Sequence, residues 1–205
     1  MTTLKQILER APVVPVLTIE AEADAVPLAR ALAAGGLTAL EITLRTPAAI
    51  GAMERISGEV EGVVVGAGTV LNQADYERAV RAGARFVVSP GLMDHIELGE
   101  VPLLPGVATA TELMRALAAG FNYLKFFPAV PAGGVAMLKS FAPVFPTAVF
   151  CPTGGIGADN AAEFLVLPNV TCVGGSWVAP TAAVRAGDWD RITQLAQGAS
   201  QLLRS

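Results

Sequence analysis

The feature that most limits what this chain can fold into is a unit that occurs three times. An Ala- and Leu-rich stretch of helical period runs to a glycine, and a short apolar run of strand composition follows. Leu32-Ala33-Ala34-Gly35 leads to Ala39-Leu40-Glu41-Ile42, Val80-Arg81-Ala82-Gly83 to Phe86-Val87-Val88, and Leu117-Ala118-Ala119-Gly120 to Tyr123-Leu124-Lys125-Phe126. Glycine there allows the left-handed residue that closes a helix, and the strand that follows is reached by a right-handed crossover.

The same alternation extends along the chain. Strands are predicted at Val13 to Leu17, Ala39 to Leu44, Gly62 to Gly66, Phe86 to Ser89, Leu103 to Gly106, Tyr123 to Phe127, Ala148 to Cys151 and Val170 to Gly174. Helices are predicted near 22 to 34, 47 to 57, 73 to 82, 110 to 119, 133 to 142 and 158 to 166, with Asn72 or Gln73, Thr109 and Asp159 at helix starts. That count of strands in 205 residues favours an α/β fold of the (β/α)8 TIM barrel type over an open doubly wound sheet. The expected organisation is one domain, 1–205, with an N-terminal and a C-terminal helix. No Gly-x-Gly-x-x-Gly follows the first strand, which argues against a dinucleotide-binding sheet.

Composition removes several function classes. At 53% hydrophobic and 16% charged, the chain can bury enough surface to offset its ordering entropy, so disorder is excluded. Every apolar run is cut by Gly, Pro or charge before the roughly 18 residues of a spanning helix, so no membrane partner is expected. Met1 to Arg10 has no apolar signal region, and the cytoplasm is the expected compartment. A net charge of −4 without a Lys/Arg run makes nucleic acid an improbable partner. The single histidine, His95, cannot build an imidazole-rich zinc site and is expected in a solvated loop or at a helix end. Cys151 and Cys172 sit in apolar runs and are expected to be buried structural thiols.

In a barrel the chemistry sits where strands end, and alternation sorts the faces. Leu40, Ile42 and Leu44 share one face, leaving Glu41 and Thr43 on the other; Leu124 and Phe126 likewise leave Tyr123, Lys125 and Phe127 opposite. Glu41 and Lys125 would both point inward. Burial disfavours a charged ammonium and makes a neutral, nucleophilic amine available, the environment of a Schiff-base lysine, with Glu41 as its proton shuttle. The alternative is a lysine that snorkels from a strand end or pairs statically with a carboxylate. Thr153-Gly154-Gly155-Ile156-Gly157 and Gly174-Gly175-Ser176 end the last two strands, where barrels bind phosphate. Trp189 is expected to staple the C-terminal helix; Trp177 fits either beneath the anion site or in the core.

Taken in order, Leu40-Glu41-Ile42-Thr43-Leu44-Arg45-Thr46, Gly66-Ala67-Gly68-Thr69-Val70, Ser89-Pro90-Gly91, Leu124-Lys125-Phe126-Phe127-Pro128-Ala129, Phe150-Cys151-Pro152-Thr153-Gly154-Gly155-Ile156 and Gly174-Gly175-Ser176-Trp177 cover nearly the whole chain. In these segments it resembles the bacterial 2-keto-3-deoxy-6-phosphogluconate (KDPG) aldolases, also described as 4-hydroxy-2-oxoglutarate (KHG) aldolases. The resemblance implies a class I aldolase of the Entner–Doudoroff pathway on a (β/α)8 barrel, a homotrimer working without metal or cofactor on a phosphorylated 2-keto acid. It implies Lys125 as the imine-forming nucleophile, Glu41 as general acid/base, and Arg45 with Thr69 as anchors for the pyruvyl carboxylate. Thr153 matches a substrate contact, Gly154, Gly155, Gly174, Gly175 and Ser176 the phosphate pocket, and Pro90 and Phe127 the pocket walls. One departure is visible: Leu92 to Val101 is short, and a full helix is not expected there. Competing readings are an aldolase for the galactonate epimer, a phosphate-binding barrel isomerase or epimerase, and a silent phosphosugar-binding protein.

Overall fold

The computed structural model describes residues 3–93 and 96–203; His95, and with it the expectation made for it, lies outside them. In chain order the elements are α1 (Leu4–Leu8), β1 (Val13–Leu17), α2 (Glu22–Ala34), β2 (Ala39–Thr43), α3 (Ala49–Glu59), β3 (Val64–Gly68), α4 (Gln73–Arg81), β4 (Phe86–Val88) and β5 (Leu103–Leu104). They continue with β6 (Gly106–Val107), α5 (Ala110–Ala118), β7 (Tyr123–Phe126), α6 (Gly134–Phe141), β8 (Val149–Pro152), α7 (Ala161–Leu165), β9 (Val173–Gly175), α8 (Thr181–Arg185) and α9 (Trp189–Ser200).

All strand pairs are parallel, as the repeated unit requires. The ladder divides into a six-stranded sheet, β5-β4-β3-β2-β1-β9, and a three-stranded sheet, β6-β7-β8, where one continuous eight-stranded closure was expected. Proline causes one division. Pro105 has no N–H to give, so the predicted strand Leu103 to Gly106 breaks there: Leu103 and Leu104 pair with β4, whereas Gly106 and Val107 pair with β7. At the other division, single parallel bridges join Phe150 to Val170 and Thr153 to Gly174.

Two more boundaries move for stated reasons. The third strand starts at Val64, two residues later than predicted, because Gly62 turns with φ of 78° before the strand begins. Helix α2 ends with Gly36, not Gly35, in the left-handed region (φ 92° against −83°), whereas Gly83 and Gly120 take it as expected, at 93° and 88°. Helix α7 begins at Ala161 instead of 158, α8 adds a short helix after β9, and among the described residues between β4 and β5 no helix forms. That connection is tied to α4 instead: Tyr76 donates to the Val101 carbonyl at 2.8 Å and accepts from the Gly99 amide at 3.0 Å.

Alternation places the core in two shells. Leu40, Ile42, Val87, Leu124 and Phe126 face the helices, while Val14, Ala39, Phe86, Val88, Leu104, Cys151 and Cys172 form a second buried cluster inside the strands, closed at one end by Ile7 and Leu8 of α1. Both cysteines are buried thiols. Trp189 is the first residue of α9, whose N-cap Asp188 accepts from the Arg191 amide at 3.1 Å. No described helix is long and apolar enough to cross a membrane.

Helix α5, which follows β6, carries a full capping box. Thr109 accepts from the Glu112 amide at 3.3 Å, and the Glu112 carboxylate accepts from the Ala108 and Thr109 amides at 2.8 and 2.9 Å. These backbone donors, Ala108 foremost, hold the Glu112 carboxyl below its ordinary value of 4.5 although desolvation opposes them. A carboxyl favoured in its ionised form by folding stabilises the protein fully above its unfolded value and loses that contribution as the pH falls through the lower folded value. Glu112→Ala should therefore cost about 1 kcal/mol in urea denaturation at neutral pH. The gap from wild type should narrow as the pH is taken below 4.5; a gap that stays constant in acid would assign the loss to something other than the ionised cap.

Candidate active site

Parallel pairing in register carries the inward residues of the strands to a common level. Val16 lies opposite Glu41, Glu41 opposite Gly66, and Gly106 opposite Lys125, which lies opposite Cys151. Across this interior the Lys125 Nζ and Glu41 Oε1 atoms meet at 3.1 Å. The two residues are 4% and 3% exposed, so the contact is shielded from solvent on nearly every side. Nζ also lies 5.2 Å from the centroid of the Phe127 ring. The alternative of a snorkelling lysine is ruled out by this burial; the paired arrangement is the one the fold adopts.

Glycine makes the geometry possible. A Cβ on Gly68 would run into the Glu41 carboxylate, and one on Gly106 into the Pro90 carbonyl, so both strands come close to the pair only because these positions lack a side chain. Pro90 thereby stands beside the Lys125 level through its backbone. Arg45, just beyond β2, donates from Nε to Thr69 Oγ1 at 3.1 Å. Thr69 has φ of 59°, a left-handed conformation that a β-branched residue adopts only under strain of about 1–3 kcal/mol. The two terminal guanidinium nitrogens of Arg45 make no hydrogen bond among the described residues.

Above the pair opens a cleft of about 320 Å³, lined among others by Arg45, Phe127, Thr153, Gly154, Gly155, Gly174, Gly175 and Ser176. Thr69, Pro90, Glu41 and Lys125 are not among its lining residues; the pair adjoins the cleft through Val16, which lies opposite Glu41, and Phe127, whose ring is 5.2 Å from Nζ. Gly154 and Gly155 have φ of 104° and 78°, as a glycine turn closing β8 demands. Gly174 faces the Thr153 hydroxyl and Gly175 packs on the Trp177 ring. Trp177 is half-buried and packs both against Gly175 and on the outer hydrophobic core.

Several residues in or behind the cleft carry no signal in the sequence. The residue before α7 is Asn160, not the expected Asp159; its Oδ1 accepts from the Gly157 amide at 2.9 Å and its Nδ2 donates to the Gly155 carbonyl at 3.1 Å, pinning the glycine turn. The Gly-x-x-Asn spacing is the signature that could have found it. Thr18, Glu20 and Arg185 line the cleft itself, and Arg185 pairs with Glu20 at 2.8 Å. Among the described residues no group of three or more His, Cys, Asp or Glu is placed to hold a metal ion.

Comparison with known proteins gives one answer. The family described as KDPG and KHG aldolase matches residues 4–195. A 2-dehydro-3-deoxy-phosphogluconate aldolase of Pseudoalteromonas atlantica is 49% identical, over 95% of this chain and 93% of its own. A KHG/KDPG aldolase of Escherichia coli is 46% identical, over 97% and 95%. The crystal structure of KDPG aldolase from Legionella pneumophila, with pyruvate captured at low pH as a covalent carbinolamine intermediate, superposes with a TM-score of 0.95 at 46% identity, covering 98% of this chain and 99% of that one. The chain belongs to the KDPG and KHG aldolase family.

Proposed function

We propose that this protein is a class I aldolase that cleaves 2-keto-3-deoxy-6-phosphogluconate to pyruvate and glyceraldehyde 3-phosphate. The observation that carries the reading is the buried contact of 3.1 Å between Lys125 and Glu41. A lysine can attack a ketone only as the free amine, and a carboxyl at hydrogen-bond distance can hold the proton meanwhile. The Lys125 nitrogen adds to C2, the C2–O π bond breaks, and a proton passes from nitrogen to that oxygen to give a carbinolamine. Glu41 then protonates that hydroxyl, water departs, and the iminium becomes the electron sink. As a carboxylate, Glu41 takes the C4 hydroxyl proton through a water; the C3–C4 bond breaks, the aldehyde leaves and the electron pair stays as an enamine. Return of the proton to C3 and hydrolysis release pyruvate and the free lysine.

The remaining roles follow the ends of the substrate. Arg45, held by Thr69, has a planar fork that suits the two oxygens of the pyruvyl carboxylate. Gly154, Gly155, Gly174, Gly175 and Ser176 take the phosphate, Thr153 contacts the substrate between these ends, and Phe127 and Pro90 form the walls. The same imine chemistry serves 4-hydroxy-2-oxoglutarate, a reading favoured by the name of the E. coli relative. We also read residues 1–205 as one domain whose strands close into an eight-position barrel, a reading supported by the bridges Phe150 to Val170 and Thr153 to Gly174. The family resemblance favours a cytoplasmic homotrimer, and exposed apolar side chains such as Leu71 and Met114 support assembly.

Borohydride reduction in the presence of pyruvate should leave a pyruvyl adduct that peptide mapping assigns to Lys125, and Lys125→Ala should take up none. Folded protein without an adduct would sink the aldolase mechanism and promote a barrel isomerase, which needs no covalent lysine. Gly68→Ala should fold but push the Glu41 carboxylate off its line to Lys125, lowering kcat/KM on the order of 100-fold. Wild-type turnover in that variant would show that the placement of Glu41 is not required.

A further inference from the structure

The inward face of β1 runs through Val14 and Val16 and continues, just past the strand, to Thr18: Val14 belongs to the inner cluster, Val13 and Leu17 to the outer one. Since Val16 lies opposite Glu41, Thr18 comes beside Thr43 one level higher, and the two hydroxyl oxygens are 3.2 Å apart. Thr43 is fully buried, and its Oγ1 lies 2.9 Å from the Leu17 carbonyl. A hydroxyl has one proton and a carbonyl can only accept. Thr43 therefore spends its proton on Leu17, and the proton in the contact between the two threonines is the one from Thr18.

This directional chain leaves Thr18 with lone pairs alone to offer the cleft it lines. An acceptor without a free proton repels carboxylate and phosphate oxygens and suits an uncharged hydroxyl. Its place agrees. In the sheet β1 lies between β2, which runs on to Arg45, and β9, which ends in Gly174 and Gly175. Thr18 thus stands between the two parts of the cleft suited to anions.

Resting on the aldolase reading above, we infer that Thr18 is a specificity residue that accepts a hydrogen bond from the C5 hydroxyl, the one next to the phosphate-bearing carbon. The C4 hydroxyl must give its proton to Glu41 during cleavage, so the C5 hydroxyl is the one left for a fixed acceptor.

The test is condensation of pyruvate with two aldehydes, glyceraldehyde 3-phosphate and its deoxy counterpart 3-oxopropyl phosphate, which lacks that hydroxyl. Thr18→Val keeps the branched shape and leaves the Thr43 bond to Leu17 intact. It should lower kcat/KM for glyceraldehyde 3-phosphate about tenfold and change that for 3-oxopropyl phosphate less than about twofold. Thr18→Ser should restore most of the loss. An equal loss with both aldehydes, or no loss with either, would overturn the inference. Wild-type protein that condenses neither aldehyde and takes up no borohydride adduct would remove the aldolase reading itself, a different outcome from both.

Discussion

A lysine and a glutamate 84 residues apart meet at 3.1 Å inside a shell of strands whose other inward side chains are largely apolar. Taking either charge out of water costs several kcal/mol, and the partner compensates only when the geometry is tight. Much of the fold serves to keep it tight. Phe86 fills the space in front of Gly66, Ile7 and Leu8 close the interior from one end, and Gly68 and Gly106 leave room where a methyl group would displace Glu41 or meet the Pro90 carbonyl. With both residues buried and in contact at 3.1 Å, the shortest route for a proton leaving Lys125 is to Glu41.

The cleft above is built on a different principle, with backbone where the pair below uses side chains. Its anion-suited end is made of glycines held from behind: Asn160 ties Gly155 to Gly157, and Trp177 packs against Gly175. Such support fixes backbone amides in place before any ligand arrives, so little ordering entropy is lost on binding. The strained Thr69 serves the opposite end in the same way. Its left-handed backbone brings Oγ1 to the Nε of Arg45, which fixes the plane of the guanidinium and leaves the terminal nitrogens for the cleft.

What could be read from the sequence was whatever depends on period or on glycine. A period of two put Glu41 and Lys125 on one face without knowledge of the strand order, and Gly83 and Gly120 marked helix ends by the one conformation they tolerate better than other residues. Period does not fix strand ends. Gly62 looked like the start of a strand because it precedes a valine run, yet it is the turn before it; and Pro105 hid in an apolar run although its missing N–H divides the ladder between two sheets. Thr18, Asn160 and the hydrogen bonds of Thr43 escaped for another reason. Each depends on a backbone atom or side chain brought near by tertiary structure or by an irregular turn, and neither leaves a periodic trace.

These two kinds of construction divide the labour of the site. On the proposed reading, imine formation depends on what surrounds a ketone carbon and a carboxylate, and that half falls to the buried pair together with Arg45 and Thr69. Nothing in that half reads the length or hydroxylation of the chain beyond C4. Discrimination among 2-keto acids must then come from the other half, where one end offers amides and the middle offers the hydroxyls of Thr18 and Thr153. A site so divided can change its substrate by substitutions in the middle of the cleft while the lysine and its carboxylate stay untouched. Removing one well-placed hydrogen bond there costs about a factor of ten, whereas misplacing the reacting groups costs on the order of a hundred. The inner pair is therefore far less tolerant of change than the threonines above it.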